Sequence, residues 1–110
     1  MIPSPRLTLL AALVATAFLA GCTFVDLKPQ GEKVRILAQQ EVGRCKALGN
    51  VTVATAATVG FIARSRDNVR EELLRLARNH AGAMGGDSIV AKGEVVDGEQ
   101  PFGVYRCINP

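Results

Sequence analysis

The chain has 110 residues, with 13 Lys or Arg against 10 Asp or Glu and a formal net charge of +3. This excess of positive charge is too small to indicate a nucleic-acid partner. The absence of Trp and the presence of one Tyr also argue against an aromatic platform on which bases or sugars stack.

Residues 1–21 have the layout of a secretory signal peptide. A basic start at Arg6 precedes an apolar stretch from Leu7 to Leu19, which is too short to span a membrane as a mature helix. The tetrapeptide Leu19-Ala20-Gly21-Cys22 resembles the lipobox of bacterial lipoproteins. Cleavage before Cys22 would let its thiol carry a diacylglycerol and its amine a further acyl chain such as palmitate. Two or more acyl chains hold a protein stably on a membrane.

An ordinary signal peptide, cut after Ala15-Thr16-Ala17, is the alternative interpretation. That cut would leave the hydrophobic stub Phe18-Leu19-Ala20-Gly21 and an additional thiol, so we expect lipidation at Cys22 instead. Thr23 follows Cys22 where an Asp would, by resemblance to sorted lipoproteins, favour retention in the inner membrane. We therefore expect attachment to the outer membrane through the lipid on Cys22, on its periplasmic face.

The mature chain would have 89 residues, enough for one small domain, and loss of Arg6 would leave 12 basic against 10 acidic residues. Its two remaining cysteines, Cys45 and Cys107, are predicted to form a disulfide, as an even pair in a secreted chain usually does. A redox-active or metal-binding thiol pair is the alternative. No C-x-x-C spacing and one histidine argue against that alternative.

The N-terminal half predicts a tether followed by strands. Residues 22–31 are predicted to form a lipidated tether, and residues 32–110 a single domain. Alternation over residues 34–38 indicates a half-buried first strand, and a second extended segment is predicted over residues 42–48. Gly49-Asn50 then interrupts the pattern before residues 51–53, which fits either a bulge in one strand or a tight hairpin. Residues 54–60 predict a loop or a frayed strand end.

The best-marked element is a helix over residues 69–84. Asn68 is predicted as its N-cap, with Glu71 returning the bond, and Gly85-Gly86 as its left-handed stop. An apolar arc lies opposite a face of charged residues that includes Arg75 and Arg78, and these arginines are interpreted as solubilising. The arc comprises Val69, Leu73, Leu76, Ala77 and Met84.

Two more strands follow the helix, over residues 88–96 and residues 102–108, with a turn at residues 97–101. The resulting order is strand, strand, helix, strand, strand. This order predicts an α+β fold with one helix packed on a small, mainly antiparallel sheet and one disulfide.

Several pieces of the chain together resemble a family of short bacterial envelope lipoproteins known only as a domain of unknown function. That family is distantly similar to the outer-membrane lipoprotein that senses envelope stress for the Rcs phosphorelay. The sensor has four cysteines besides the lipidated one where this chain has two, so the resemblance implies the α+β architecture alone. The pieces are Gly31-Glu32-Lys33-Val34-Arg35-Ile36, Cys45 with Leu48-Gly49, Arg78-Asn79-His80-Ala81, Met84-Gly85-Gly86 and Val104-Tyr105-Arg106-Cys107.

No motif names a catalytic residue, cofactor or metal. His80, the single histidine, is interpreted as a partly buried, hydrogen-bonded residue near the apolar arc. Ser65 and Ser88 lack a nucleophile elbow, and Asp87 is assigned to the turn after the helix. We therefore expect a non-catalytic binding or structural module.

Two other functions compete with this expectation. The first is a sensor or accessory subunit that docks on an envelope protein through the sheet face or the helix arginines. The second is a small hydrolase or redox protein that uses His80 or the cysteine pair.

Overall fold

A computed structural model describes residues 25–60 and 62–110. The predicted α+β class, with one main helix and one disulfide, is confirmed, and a short N-terminal helix and a small hairpin are added to the predicted order. The predicted signal peptide and lipobox lie outside the described residues. The elements are α1 (Pro29–Glu32), β1 (Arg35–Ile36), a 3-10 turn (Gln39–Val42), β2 (Lys46–Ala54), β3 (Thr58–Val59), β4 (Ile62–Ala63), α2 (Arg66–Ala83), β5 (Ser88–Ala91) and β6 (Glu99–Arg106).

The main sheet has four strands in the order β1-β5-β6-β2. Strand β6 pairs antiparallel with both β5 and β2, whereas β1 pairs with β5 in parallel. Because β1 and β2 lie at opposite edges, residues 37–45 cross the sheet between them. A separate two-stranded sheet is formed by β3 and β4.

The interruption at Gly49-Asn50 is a bulge within one strand. The register of β2 against β6 shifts between Ala47 and Gly49, which leaves Leu48 as the extra residue. Gly49 has a φ of 148°, a conformation that residues with a Cβ rarely adopt. Of the two alternatives left open by the sequence, the hairpin is therefore wrong.

The second strand begins at Lys46, later than predicted, because residues 39–42 form the 3-10 turn instead. The Glu41 carboxylate closes this turn by accepting a hydrogen bond of 2.9 Å from the Ala38 amide. The strand predicted over residues 88–96 is β5, and it ends earlier, at Ala91. The turn predicted over residues 97–101 shortens to Asp97-Gly98. Both residues of that turn have positive φ, 50° and 74°, as a two-residue hairpin turn requires.

Helix α2 begins three residues earlier than predicted. Its N-cap is Ser65, whose hydroxyl accepts from the Asn68 amide at 3.1 Å, so the assignment of Asn68 as the cap was wrong. The glycine stop is confirmed, because Gly85 has a φ of 80° and the Gly86 amide bonds to the Ala81 carbonyl at 2.8 Å. This is the Schellman arrangement.

The core lies between α2 and one face of the sheet. The helix contributes a row of buried residues spaced by four, which packs with Val53 and with residues of β5 and β6. Since four residues turn the helix by about 40° more than one full turn, the buried row slants across the helix axis. The buried row on α2 is Val69, Leu73, Ala77 and Ala81.

The slant explains two wrong predictions. At the C-terminal end of α2 the buried row has rotated to Ala81, so Met84 is 40% exposed and His80 is exposed. The interpretation of His80 as partly buried averaged the apolar arc over the whole helix, whereas the sheet contacts a different part of that arc at each turn.

Candidate functional site

Two adjacent side chains of α2 fasten the N-terminal segment to the domain. The Asn79 side chain donates to the Asp26 carbonyl and accepts from the Lys28 amide, both at 2.8 Å. The Arg78 guanidinium donates to the carbonyls of Val34 at 3.0 Å and Glu32 at 3.1 Å. We call these four hydrogen bonds the N-terminal clamp. Arg78 therefore binds backbone, and its interpretation as a solubilising residue was wrong.

Missing side chains allow the segment to approach α2 closely. A Cβ on Gly82 would lie 2.5 Å from the Gln30 carbonyl oxygen, and a Cβ on Gly31 would collide with the Asn79 side chain. Gly31 is buried within α1. Residues 29–31, predicted as part of a tether, thus belong to a helical turn that packs on α2.

The start of the described chain lies along the side of α2. The Asp26 carbonyl is bonded to Asn79, and Val25 and Asp26 line a depression with His80. Val25, Asp26 and Leu27 line a shallow depression with Arg64 and Asn68. Residues 25–27 therefore lie beside α2, next to the clamp. Cys22 and the lipobox are outside the described residues, and Val25 follows Cys22 by three positions.

The sheet face turned away from α2 is partly covered. Ser88 and Val90 are buried, although they alternate with Ile89 and so point to this face. Residues 37–45 pass over part of this face, where Gln39 contacts Lys92 and Val42 is buried.

The remainder of this face, formed by β6 and β2, carries exposed polar side chains. Asn50 and Thr52 are exposed and lie opposite Gly103 and Pro101 of β6. The Lys92 ammonium donates to the Tyr105 hydroxyl at 2.6 Å and lies 5.1 Å from the centre of the same ring. We call Asn50, Thr52, Lys92 and Tyr105 the open face.

The cation of the open face is the Lys92 ammonium, which bonds to Gln39 and Tyr105. The hydrogen bond from Lys92 lowers the pKa of Tyr105, burial of the ring opposes the change, and Gln39 and the positive charge of Lys92 reinforce it. The bonds to Gln39 and Tyr105 together direct the ammonium over the open face. The ammonium has three donors and uses two of them here, so one remains for an acceptor group.

The disulfide fastens the C-terminus at the end of the sheet. Cys45 and Cys107 are bonded to each other, which confirms the predicted pair. Beside them, the Asp87 carboxylate accepts from the amides of Cys107 and Ile108, both at 2.8 Å, and from the Ser88 hydroxyl at 3.0 Å. Burial alone would raise the pKa of Asp87, but these hydrogen bonds and the nearby charge of Arg35 lower it overall.

Residues 25–107 match the domain of unknown function DUF4156. The chain belongs to this family. No curated protein shows significant similarity to it. A solution NMR structure of the secreted protein SrfN from Salmonella typhimurium LT2 matches the chain with 20% sequence identity and a TM-score of 0.47. The match covers 70% of this chain and 90% of that one.

The candidate residues of the DUF4156 domain are not brought together in one site. His80 lines a shallow depression with Lys28, Gln30 and Ala83, Ser65 caps α2, and Ser88 is bonded to Asp87. Over residues 25–60 and 62–110, no group of three His, Cys, Asp or Glu side chains is placed to hold a metal ion. In the same part of the chain, no helix has the length and apolar character needed to cross a membrane.

Sequence reasoning missed both the N-terminal clamp and the open face. A signal for the clamp was present in Arg78-Asn79, two long polar side chains three and four positions before a helical glycine, Gly82. For the open face no local signal existed, because Lys92 and Tyr105 meet only when β5 pairs with β6.

Proposed function

We propose that this chain is a lipid-anchored envelope protein of the periplasmic face of the outer membrane. In this proposal its DUF4156 domain is a non-catalytic binding or structural module. The observation that carries the proposal is the N-terminal clamp, because it begins the folded domain almost at the residue where the lipobox ends. A domain built in this way is suited to a fixed position at the surface that holds its anchor.

The distance between anchor and domain supports this interpretation. Val25 lies three positions after Cys22, and an extended chain spans at most about 3.3–3.6 Å per residue. The domain would therefore start within about 11 Å of the acylated residue. With so short a connection, the membrane restricts which surfaces a partner can reach.

The open face is the surface best suited to such a partner. The clamp acts on α2, and α2 covers the other side of the sheet, so the open face is separated from the anchored side by the whole domain. Its fixed lysine and exposed amide and hydroxyl groups favour a polar protein surface that presents acceptor groups. A sensor or accessory subunit that docks on an envelope protein would use the same surface.

The anchor is tested by intact-mass analysis of detergent-extracted protein, with and without reduction and thiol alkylation. We expect a mass that starts at Cys22 and includes acyl chains, with two further thiols alkylated only after reduction. Cys22→Ala is the control and should remain unacylated. An unacylated wild-type chain would contradict the proposal.

Docking is tested by placing a photocrosslinking amino acid at Thr52 on the open face and, separately, at Arg70 on the exposed side of α2. We expect one dominant crosslinked protein from Thr52 in intact cells. A dominant product from Arg70 alone would move the contact to the helix arginines, and diffuse products from both positions would contradict a docking role.

A further inference from the structure

Strand β2 forms one edge of the main sheet and directs hydrogen-bonding groups away from it. Within the described part of the chain, β6 is the only strand paired with β2. On the far side of β6, the Pro101 carbonyl accepts from the Lys92 amide, and Glu99 exchanges two bonds with Val96, all at 2.9 Å. Since opposite residues of an antiparallel pair bond either to each other or both outward, the residues of β2 opposite Pro101 and Glu99 direct their amides and carbonyls outward. We call these backbone groups the outer edge, and they belong to Asn50, Thr52 and Ala54.

The outer edge is accessible over residues 50–54. Beyond residue 54, the Thr55 amide donates to the Gly98 carbonyl at 2.8 Å, so the chain leaves β2 on the side of β6. Before residue 50, the bulge in β2 ends the regular pairing. Among residues 25–60 and 62–110, no hydrogen bond reaches the amides and carbonyls of the outer edge.

The sequence of β2 lacks the features that usually prevent an edge strand from pairing with another chain. Natural edge strands are short, charged or interrupted by Pro. The opposite edge of the sheet follows this rule, because β1 has two residues and one of them is Arg35. From Ala47 to Ala63, in contrast, there is no charged residue and no Pro, although charged residues make up 21% of the chain. An accessible edge of this kind is a template for a further strand.

The outer edge is complementary to a second copy of itself. In an antiparallel pair centred on Thr52, the two Thr52 residues lie opposite each other, and Asn50 of each copy lies opposite Ala54 of the other. Every outward amide then meets a carbonyl. On one face the Thr52 side chains form a favourable cross-strand pair, and on the other the half-buried Val51 lies beside Val53 of the second copy. No charged residue lies within this pairing, so no repulsion between like charges opposes it.

We propose that two copies of this chain join through the outer edges of β2, in an antiparallel register centred on Thr52. The two four-stranded sheets then form one continuous sheet. Both open faces lie on one side of it, and both α2 helices lie on the other. The inference requires neither the lipid anchor nor the docking role, since it uses the backbone and side chains of β2 alone.

The register is tested with single cysteines in the full-length protein, crosslinked in intact cells by a bismaleimide with an ethylene linker. Opposite residues that bond to each other have Cα atoms about 5.5 Å apart, so Thr52→Cys should crosslink to itself. Two copies of Asn50→Cys would be offset by four positions, or about 14 Å, which is too far for this linker. Asn50→Cys and Ala54→Cys, produced together in differently tagged copies, should crosslink to each other.

The three native side chains are exposed, so each variant should keep its fold and the Cys45–Cys107 disulfide, which peptide mapping verifies. We expect Thr52→Cys to give a product of twice the mass of the chain, about tenfold more abundant than that from Asn50→Cys. Equal yields from these two variants would overturn the register, and absence of the double-mass product from every combination would overturn the pairing. A product that contains a different protein in its place would assign the outer edge to another partner.

A charge on the outer edge gives a second test. Thr52→Lys places like charges directly opposite each other and should raise the dissociation constant of the dimer about fivefold, measured by sedimentation equilibrium of the full-length protein in detergent. Gln40→Lys adds the same charge at an exposed position outside β2 and should leave the constant unchanged. An equal mixture of Thr52→Lys and Thr52→Glu should restore the dimer. Equal effects of Thr52→Lys and Gln40→Lys would contradict the proposed contact.

Discussion

Replacing Gly82 by Ala is expected to destabilise the domain, although a change from Gly to Ala inside a helix usually stabilises a protein. Replacing Gly by Ala inside a helix normally stabilises a protein by about 0.5–1 kcal/mol, because the glycine loses more backbone entropy on folding. In Gly82→Ala, however, the new Cβ would lie 2.5 Å from the Gln30 carbonyl oxygen and 2.7 Å from its carbon. Both contacts are with backbone, so α1 must move.

The size of the effect follows from the bonds that α1 would lose. Displacing α1 breaks the two hydrogen bonds of the Asn79 side chain, each with a net contribution of about 0.5–1.5 kcal/mol. After subtracting the propensity gain, we expect Gly82→Ala to lower the free energy of unfolding by about 1 kcal/mol.

Urea unfolding and amide hydrogen exchange together test this expectation. The Lys28 amide is the reporter, because it donates directly to Asn79, and its exchange should accelerate by about tenfold for each 1.4 kcal/mol lost. Gly43→Ala is the matched control, since nothing lies within 4 Å of a Cβ at that position, and it should be neutral or slightly stabilising. Unchanged exchange at Lys28 and undiminished stability in Gly82→Ala would refute the reasoning.

Three further predictions concern the clamp and the C-terminal end. Asn79→Ala should accelerate exchange at the amides of residues 26–28, whereas Asn68→Ala, the same change on the same helix, should leave them unaltered. Replacing both Cys45 and Cys107 by Ser opens a link across 62 residues, and chemical denaturation should show a loss of about 4 kcal/mol; a loss below about 1 kcal/mol would contradict the chain-entropy account. The lowered pKa of Asp87 means that its stabilisation is present above pH ~4 and is lost as pH falls through the folded pKa. Asp87→Asn should therefore be less stable near neutral pH and show a flatter acid limb in thermal unfolding, and an acid limb identical to that of the wild type would contradict this role.

The features that the sequence predicted correctly depend on short-range signals or on counting. The glycine stop of α2 needs only Gly85 and Gly86, and the disulfide follows from the pair of thiols that remains once Cys22 is set apart as the predicted lipidation site. The N-cap of α2 was predicted wrongly because Ser65 and Asn68 are both favourable cap residues. The helix begins at Arg66, which makes Ser65 the cap.

The features that the sequence did not predict depend on contacts between distant residues. The tether was assigned from Pro29 and Gly31, which are unfavourable in regular strands, but its order comes from Arg78 and Asn79, 44 to 53 positions away from their partners. Likewise, Lys92 directly follows β5, whereas Tyr105 lies in β6. Hydrophobic periodicity describes one element at a time and carries no information about such pairs.

The position of β6 also constrains how the domain can be made. This strand ends at Arg106, near the end of the chain, yet it is the strand to which β2 and β5 both bond. A chain delivered N-terminus first therefore receives the centre of its sheet last, and until then the nine residues of β2 lack their partner strand. Assembly of the sheet must wait for β6, and a chain that lacks this strand would keep only the pairing of β1 with β5.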